Sequence, residues 1–416
     1  MSIDEIVVKA NEAAESVSTA GTEVKNAVLR RMARLLEENM GEIVAANEKD
    51  MARARETGIA QSLVNRLAFG ESKVRSRIES LEKIAALPDP VGQIGEMEER
   101  PNGLMVGRMQ VPLGVMLMIY EARPHVTVNA GAFALKSGNA IICKGGSEAE
   151  NCNAVLGELW QQALEEAGLP GEAIQVLALS HEEVDDLLTR EEDIDLVIPR
   201  GGEKLIESVS KQSRIPVIKH YAGRCHVYVG RQADPEKALS IVLDSKLLMP
   251  AVCNAVETVL VDEDMLDWVP DLVAELTDNG VEVRGCELVQ AQALDVEPAT
   301  EEDWETEYLD KTLSVRVVVG VEEAIEHISR YGSGHTESIV TENYSDARKF
   351  MREVDSGVVL VNASTMFCDG ESLGMGAEIG ISTDKLHARG PMGLEDLTTY
   401  KHVIMGEGQI LAEPNA

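Results

Sequence analysis

From Gly114 onward the chain alternates short apolar runs with amphipathic stretches, and this alternation constrains the fold more than any single residue does. LGVMLMIY (113–120), NAIICK (139–144), IQVLAL (174–179) and DLVIP (195–199) have strand length, and a helical pattern follows each. They are apolar throughout, without an inside–outside alternation, as strands of a parallel sheet covered on both faces must be. A second series repeats the scheme with VETVLVD (256–262), VEVRG (281–285), SVRVVVG (314–320), ESIVT (337–341) and VVLVN (358–362). The fold class is therefore α/β.

Around this series lie segments of other character. Residues 1–90 read as helices broken at Gly58, Gly70 and Pro88, with Val24, Val28, Met32 and Leu35 on one stripe, a helical layer without chemistry of its own. Residues 104–120 turn near Pro112-Leu113-Gly114, as an arm or hairpin would. YKHVIMG (400–406) suits an edge strand that pairs with that hairpin or with another subunit. The acidic stretch 295–310 is expected to be a solvated loop. The glycine-rich segment 368–393 lacks periodicity, and a long irregular stretch in a compact domain tends to be functional.

Composition excludes several classes. Hydrophobic residues make up 44% of 416, enough for sizeable cores. No apolar run approaches the roughly 18 residues that span a bilayer, and the N-terminal residues are acidic where a signal peptide is basic, so a cytoplasmic protein is expected. The net charge of −34, from 72 acids and 38 bases, repels nucleic acid and anionic membranes and suits a salt-rich interior. The six cysteines form no CxxC pair and no zinc-spaced cluster with histidine, so free thiols and no metal are expected.

One of those thiols stands apart. Cys253 lies between a helical pattern beginning at Pro235 and the β-branched run Val256–Val261, where a cleft can reach its Sγ and its N–H can serve an oxyanion. Upstream, Lys144-Gly145-Gly146 and Arg200-Gly201-Gly202 each follow a strand and precede a helix, a place where backbone N–H groups approach a phosphate. A cysteine nucleophile also suits a hydrolase, for which His220, His226 and His335 are candidate bases, but no local signature ties any of them to Cys253. A dehydrogenase needs no such base to deliver hydride, and the glycine-ended strands favour it. A non-enzymatic nucleotide-binding protein with a structural Cys253 stays open at this point.

Four stretches resemble the γ-glutamyl phosphate reductases, a branch of the aldehyde dehydrogenase superfamily. They are VPLGVMLMIYEARPHVTV (111–128), DLVIPRGGEKLI (195–206), VCNAVETVLV (252–261) and the run 361–401, which includes LGMGAEIGISTDKLHARGPMGLEDLTTYK. The resemblance implies an aldehyde-dehydrogenase-like fold: a Rossmann-like cofactor domain (1–90 and 113–242), an α/β catalytic domain (243–390) and a small oligomerisation hairpin (91–112 and 391–416). It implies NADPH-dependent reduction of L-glutamyl 5-phosphate to L-glutamate 5-semialdehyde through a thioester on Cys253, the second step of proline biosynthesis; an aldehyde dehydrogenase of different specificity is the alternative. It also implies a homo-oligomer, dimer or tetramer, and leaves room for a transient contact with glutamate 5-kinase.

By the same resemblance, Arg123, His125, Asn254 and Arg389 would bind substrate, the arginines through a fork that fits phosphate or carboxylate. Lys144, Ser147, Gly201, Gly202 and Glu307 would bind the cofactor. Ser147 stands where members that prefer NAD carry a glutamate, which favours NADPH, although Glu148 is adjacent. His125 replaces an asparagine usual in the family, and its protonation is expected to make the site sensitive to pH. The stretch Lys219-His220-Tyr221-Ala222-Gly223-Arg224 stands where hydrolytic members hold a water-activating glutamate, and it contains no acid.

Overall fold

The computed structural model describes residues 1–411 apart from Ala60, His220, Tyr221, Asp295, Gly376 and Ala377. The chain divides into two compact units, Met1–Ile218 with Met392–Ala416, and Lys219–Pro391. Among the described residues no helix is long and apolar enough to cross a membrane.

The first unit is built on a four-stranded parallel sheet in the order Ile174–Leu177, Ala140–Gly145, Val115–Tyr120, Leu196–Arg200. The chain winds outward from Val115–Tyr120 in one direction and then returns to add Leu196–Arg200 on the other side. The point of reversal lies beside Tyr120, and open α/β sheets bind ligands at the carboxyl ends of strands at such a point. Helix Ile3–Ser18, with a reciprocal Ser2–Glu5 capping box, packs Ile3, Ile6, Val7 and Ala10 against Val115, Leu117, Ile119 and Ile142. Helices Thr22–Glu38, Met40–Glu56, Gln61–Leu67 and Glu71–Ala86 complete the expected helical layer.

The same unit carries an antiparallel sheet of Ile94–Glu99, Met105–Pro112 and Thr398–Met405. The C-terminal strand pairs with the hairpin in continuous register, from Thr398 opposite Pro112 to Met405 opposite Met105, the first of the two pairings expected for it. It forms one edge of that sheet, where Tyr400, Ile404 and Met405 are exposed.

The second unit holds seven parallel strands in the order Glu297–Pro298, Glu282–Gly285, Thr312–Val318, Val256–Asp262, Cys225–Val229, Thr336–Val340, Val358–Val361. Its core joins Val227, Val229, Val259, Val261, Leu272, Val283, Val315 and Val317. Two expectations are corrected here. Strand Cys225–Val229 lies between Val256–Asp262 and Thr336–Val340, so the units divide at Ile218/Lys219 and not after residue 242. The stretch 295–310 is not a solvated loop: Asp303 and Trp304 are buried. Asp303 accepts from the Thr300 N–H at 2.7 Å, Arg284 at 2.6 Å and the Tyr308 hydroxyl at 2.9 Å.

Candidate active site

In the first unit, the carboxyl ends of strands Ala140–Gly145 and Ile174–Leu177 open onto a cavity of about 550 Å³ lined by Lys144, Gly145, Gly146, Ser147, Asn153, Leu177 and His181, among others. Lys144 is the last residue but one of its strand and Ser147 opens the short helical turn that follows, so the apolar run NAIICK delivers both to the rim. The structure places Ser147 and Glu148 differently. Glu148 does not line the cavity; its Oε1 accepts the Ala122 N–H at 2.5 Å, which holds Ala122 at φ +30°. Ser147, and not Glu148, lines the cavity.

Gly201 and Gly202 precede helix Glu203–Gln212 as expected. The Gly202 N–H donates to Glu121 Oε2 at 2.7 Å, and a Cβ on Gly201 would lie 2.5 Å from the same oxygen. A carboxylate thus already sits where a phosphate is expected, against a helix N-terminus whose dipole favours an anion.

In the second unit, Cys253 lies half-buried in the turn before strand Val256–Asp262. Burial pushes Cys143, Cys152 and Cys368 up to about 12 and raises Cys225 well above the ordinary thiol range. Cys286 is half-buried but its Sγ accepts the Val317 N–H at 3.4 Å. Cys253 and Cys286 are therefore the two half-buried thiols, and Cys253 is the one that stands in the turn before strand Val256–Asp262.

The turn is held from three sides. A Cβ on Gly223 would fall 1.7 Å from the Cys253 carbonyl oxygen, so only glycine allows this approach. The Cys225 thiol donates to that same oxygen at 3.2 Å. Asn254 spends its amide on the carbonyls of Thr365, Met366 and Cys368 at 3.2–3.4 Å. The side-chain N–H groups of Asn254 thus tie the cysteine turn to the segment 365–368.

Glu307 accepts the Gly223 N–H at 2.7 Å. Two residues on, Leu309 has φ +53° and donates its N–H to Glu257 Oε1 at 3.2 Å. Glu257 and Lys246 form a fully buried pair 2.6 Å apart. Burial lowers Lys246 and raises Glu257 to about 7, and each opposes the other's shift. Sequence reading missed this pair, although a glutamate inside the otherwise apolar VETVLV was the signal.

Arg123 and His125 flank Pro124 at the start of helix Pro124–Lys136, both half-buried. Burial and then the cations Arg123, Arg77, Lys73 and Arg200 push His125 down to about 3. Its imidazole is neutral at ordinary pH, which corrects the expected pH sensitivity. Arg389 does not present an open fork: it donates to the Asp355 carboxylate at 2.6 Å and to the Asp355 carbonyl at 2.8 Å, a clamp within its own unit. Two of the three candidate hydrolase bases are engaged elsewhere. His226 is buried against Glu337 at 2.9 Å, and His335 is buried beside Thr336 Oγ1 at 2.8 Å; His220 lies outside the described residues.

A half-buried cysteine at the mouth of one parallel sheet and a glycine-rimmed cavity on another are the marks of the aldehyde dehydrogenase family. Its family model matches residues 1–284, and the chain belongs to it. The γ-glutamyl phosphate reductases of Caldanaerobacter subterraneus subsp. tengcongensis and Moorella thermoacetica are each 50% identical to this chain over 97% of its length, covering 98% and 97% of the relatives. The crystal structure of the γ-glutamyl phosphate reductase from Thermotoga maritima matches with a TM-score of 0.96 at 43% identity, over 99% of this chain and 100% of that one. The chain is a member of the γ-glutamyl phosphate reductase branch. More distantly, the fold is shared with a glyceraldehyde-3-phosphate dehydrogenase from Methanocaldococcus jannaschii complexed with NADP, with a TM-score of 0.66 at 16% identity over 97% and 94% of the two chains.

Proposed function

We propose that the protein reduces L-glutamyl 5-phosphate to L-glutamate 5-semialdehyde with release of phosphate, through a thioester on Cys253, in proline biosynthesis. The observation that carries this reading is the accessible Cys253 on a turn fixed by Gly223 and Asn254, in a chain of this branch. The Cys253 thiolate attacks the acyl carbon, and the C–O bond to phosphate breaks with the electron pair leaving on phosphate. NADPH, when bound, supplies the hydride that reduces the thioester. The resulting thiohemiacetal oxyanion expels the thiolate as the aldehyde forms. Arg123 and a neutral His125 are suited to hold the substrate's anionic groups and to donate to its oxygen.

The segment 219–224 contains no acid to activate water, so the thioester survives for reduction. Lys144 and Ser147 line the cofactor cavity with Glu148 turned away, which supports NADPH over NADH through accommodation of a 2′-phosphate. Glu307 is assigned to the nicotinamide ribose. The exposed edge strand Thr398–Met405, with Ile404 and Met405 in the open, is assigned to homo-oligomer formation in a cytoplasmic enzyme. The test is phosphate-dependent reduction of NADP⁺ with glutamate 5-semialdehyde, run on wild type and Cys253→Ser. Loss by several orders of magnitude at unchanged thermal midpoint is expected in the variant; phosphate-independent oxidation to free glutamate would falsify the reading.

A further inference from the structure

Cys253 is not the only thiol at its turn. Cys225 opens strand Cys225–Val229 and stands opposite Val256, the first residue of the neighbouring strand, so the two cysteines lie at the mouths of adjacent parallel strands. The chain ahead of Cys225 runs against the same turn: a Cβ on Gly223 would lie 2.6 Å from the Cys253 Cα. Cys225 Sγ is 3.2 Å from the Cys253 carbonyl oxygen, an atom two bonds from the Cα that bears the Cys253 thiol. A third thiol belongs to the same segment cluster, since Asn254 donates to the Cys368 carbonyl at 3.2 Å.

These thiols meet solvent differently. Cys225 and Cys368 are buried, whereas Cys253 is half-buried. Burial raises Cys225 well above the ordinary thiol range, and Glu337, Cys253 and Cys368 raise it further. Cys225 is thus kept as a protonated thiol away from small oxidants, beside a thiol that such oxidants reach. We infer that Cys225 is a resolving thiol for Cys253: when a hydroperoxide oxidises Cys253, the two close a reversible disulfide that protects the nucleophile from irreversible oxidation. The Cys253 thiolate attacks the O–O bond, its sulfur takes one oxygen as a sulfenic acid, and the other oxygen leaves as hydroxide or alkoxide. The Cys225 sulfur then attacks the Cys253 sulfur; the S–S bond forms, the S–O bond breaks, and the hydroxyl leaves as water with the Cys225 proton. The sulfur pair gives up two electrons and the peroxide accepts them. His335 Nδ1, 3.7 Å from Cys225 Sγ, is placed to carry that proton. A dithiol returns both cysteines to thiols.

The test exposes the full chain to hydrogen peroxide, blocks free thiols with N-ethylmaleimide and maps the peptides by mass spectrometry before and after dithiothreitol. Wild type is expected to yield a Cys225–Cys253 cross-link that dithiothreitol removes, with Cys253 regained as thiol. In Cys225→Ser the hydroxyl keeps a hydrogen bond to the Cys253 carbonyl but cannot resolve. There Cys253 is expected to gain two oxygens as sulfinic acid, and its recovery by dithiothreitol to fall at least about tenfold. Cys225→Ala, at the same thermal midpoint as Cys225→Ser, is expected to behave alike, which traces the loss to the missing sulfur and not to the turn. Cys368→Ala should cross-link as wild type does. A Cys253–Cys368 pair in wild type, a Cys253 that stays a thiol, or equal recovery in wild type and Cys225→Ser overturns the assignment. None of these readouts uses the acyl phosphate reaction, so the failure of that reading would leave them unchanged.

Discussion

At the scale of residues, the second unit's site depends on carboxylates that hold backbone in conformations other side chains avoid. Leu309 has φ +53°, an arrangement that costs on the order of 1–3 kcal/mol, and Glu257 stabilises it by accepting its N–H. Glu257 in turn needs Lys246, since both side chains are at most 1% exposed. Lys246→Met leaves a buried carboxylate without its cation and is expected to destabilise by about 3–5 kcal/mol, with the double change Lys246→Met/Glu257→Leu recovering most of that loss. Urea unfolding of the two single variants and the double checks it, and strictly additive losses would exclude the coupling. A second expectation concerns His125. A group held at about 3 does not titrate between pH 5 and 8, so His125→Asn is expected to change the level of the pH–rate profile and not its inflections. The place of Cys253 in a turn before a strand was legible in the sequence, because a helical pattern gives way there to a β-branched run. The engagement of Arg389 by Asp355 was not, since Asp355 is far from it in sequence and one of 72 carboxylates.

At the scale of elements, alternation in the sequence located nine of the eleven strands of the two parallel sheets, because apolar runs of that length cannot be left in water; Cys225–Val229 and Glu297–Pro298 were missed. What it could not supply was neighbour order. Cys225–Val229 was not read as a strand, and it pairs with strands that follow it in sequence, so the division between the units came out misplaced. The segment 300–308 was misread for a different reason: its acids were counted as solvated charge, whereas Asp303 is spent on Thr300, Arg284 and Tyr308. That arrangement makes a pH prediction. Burial alone would raise Asp303, but the hydrogen bonds outweigh it and hold the carboxyl at about 2. An unfolded aspartate titrates near 3.9, so the native state binds fewer protons than the unfolded chain in that window. The resulting stability is complete above about pH 4 and is lost as pH falls towards 2, up to about 2 kcal/mol. Asp303→Asn is expected to flatten that part of the acid-unfolding curve. The turn that carries Cys253 is tested at Gly223. Gly223→Ala forces a Cβ onto the Cys253 carbonyl oxygen, and kcat is expected to fall at least about 100-fold, as displacement of a catalytic group by about 1 Å does. A parallel fall in the rate of Cys253 alkylation would trace the loss to the turn.

At the scale of the whole molecule, charge dominates. The 38 bases can neutralise at most 38 of the 72 acids, leaving 34 negative charges with no partner of opposite sign. Added salt acts on this surface in two opposed ways. It weakens exposed pairs such as Lys9–Glu172 and Arg75–Glu37, each worth on the order of 0–1 kcal/mol. It also screens the repulsion among the excess acids, because the Debye length falls from about 10 Å at 0.1 M to about 3 Å at 1 M. Repulsion involves every uncompensated carboxylate, whereas the pairs are few and weak, so screening should win. The buried Lys246–Glu257 pair is out of reach of the salt and should not respond. The thermal midpoint is therefore expected to climb between about 0.1 M and 2 M KCl, steeply at first and then more slowly as the screening length drops below the spacing of the charges. Scanning calorimetry across that series checks it, with a variant carrying several surface Glu→Gln changes as the control. The variant should start higher and gain less; a midpoint indifferent to salt in both proteins would remove the repulsion argument.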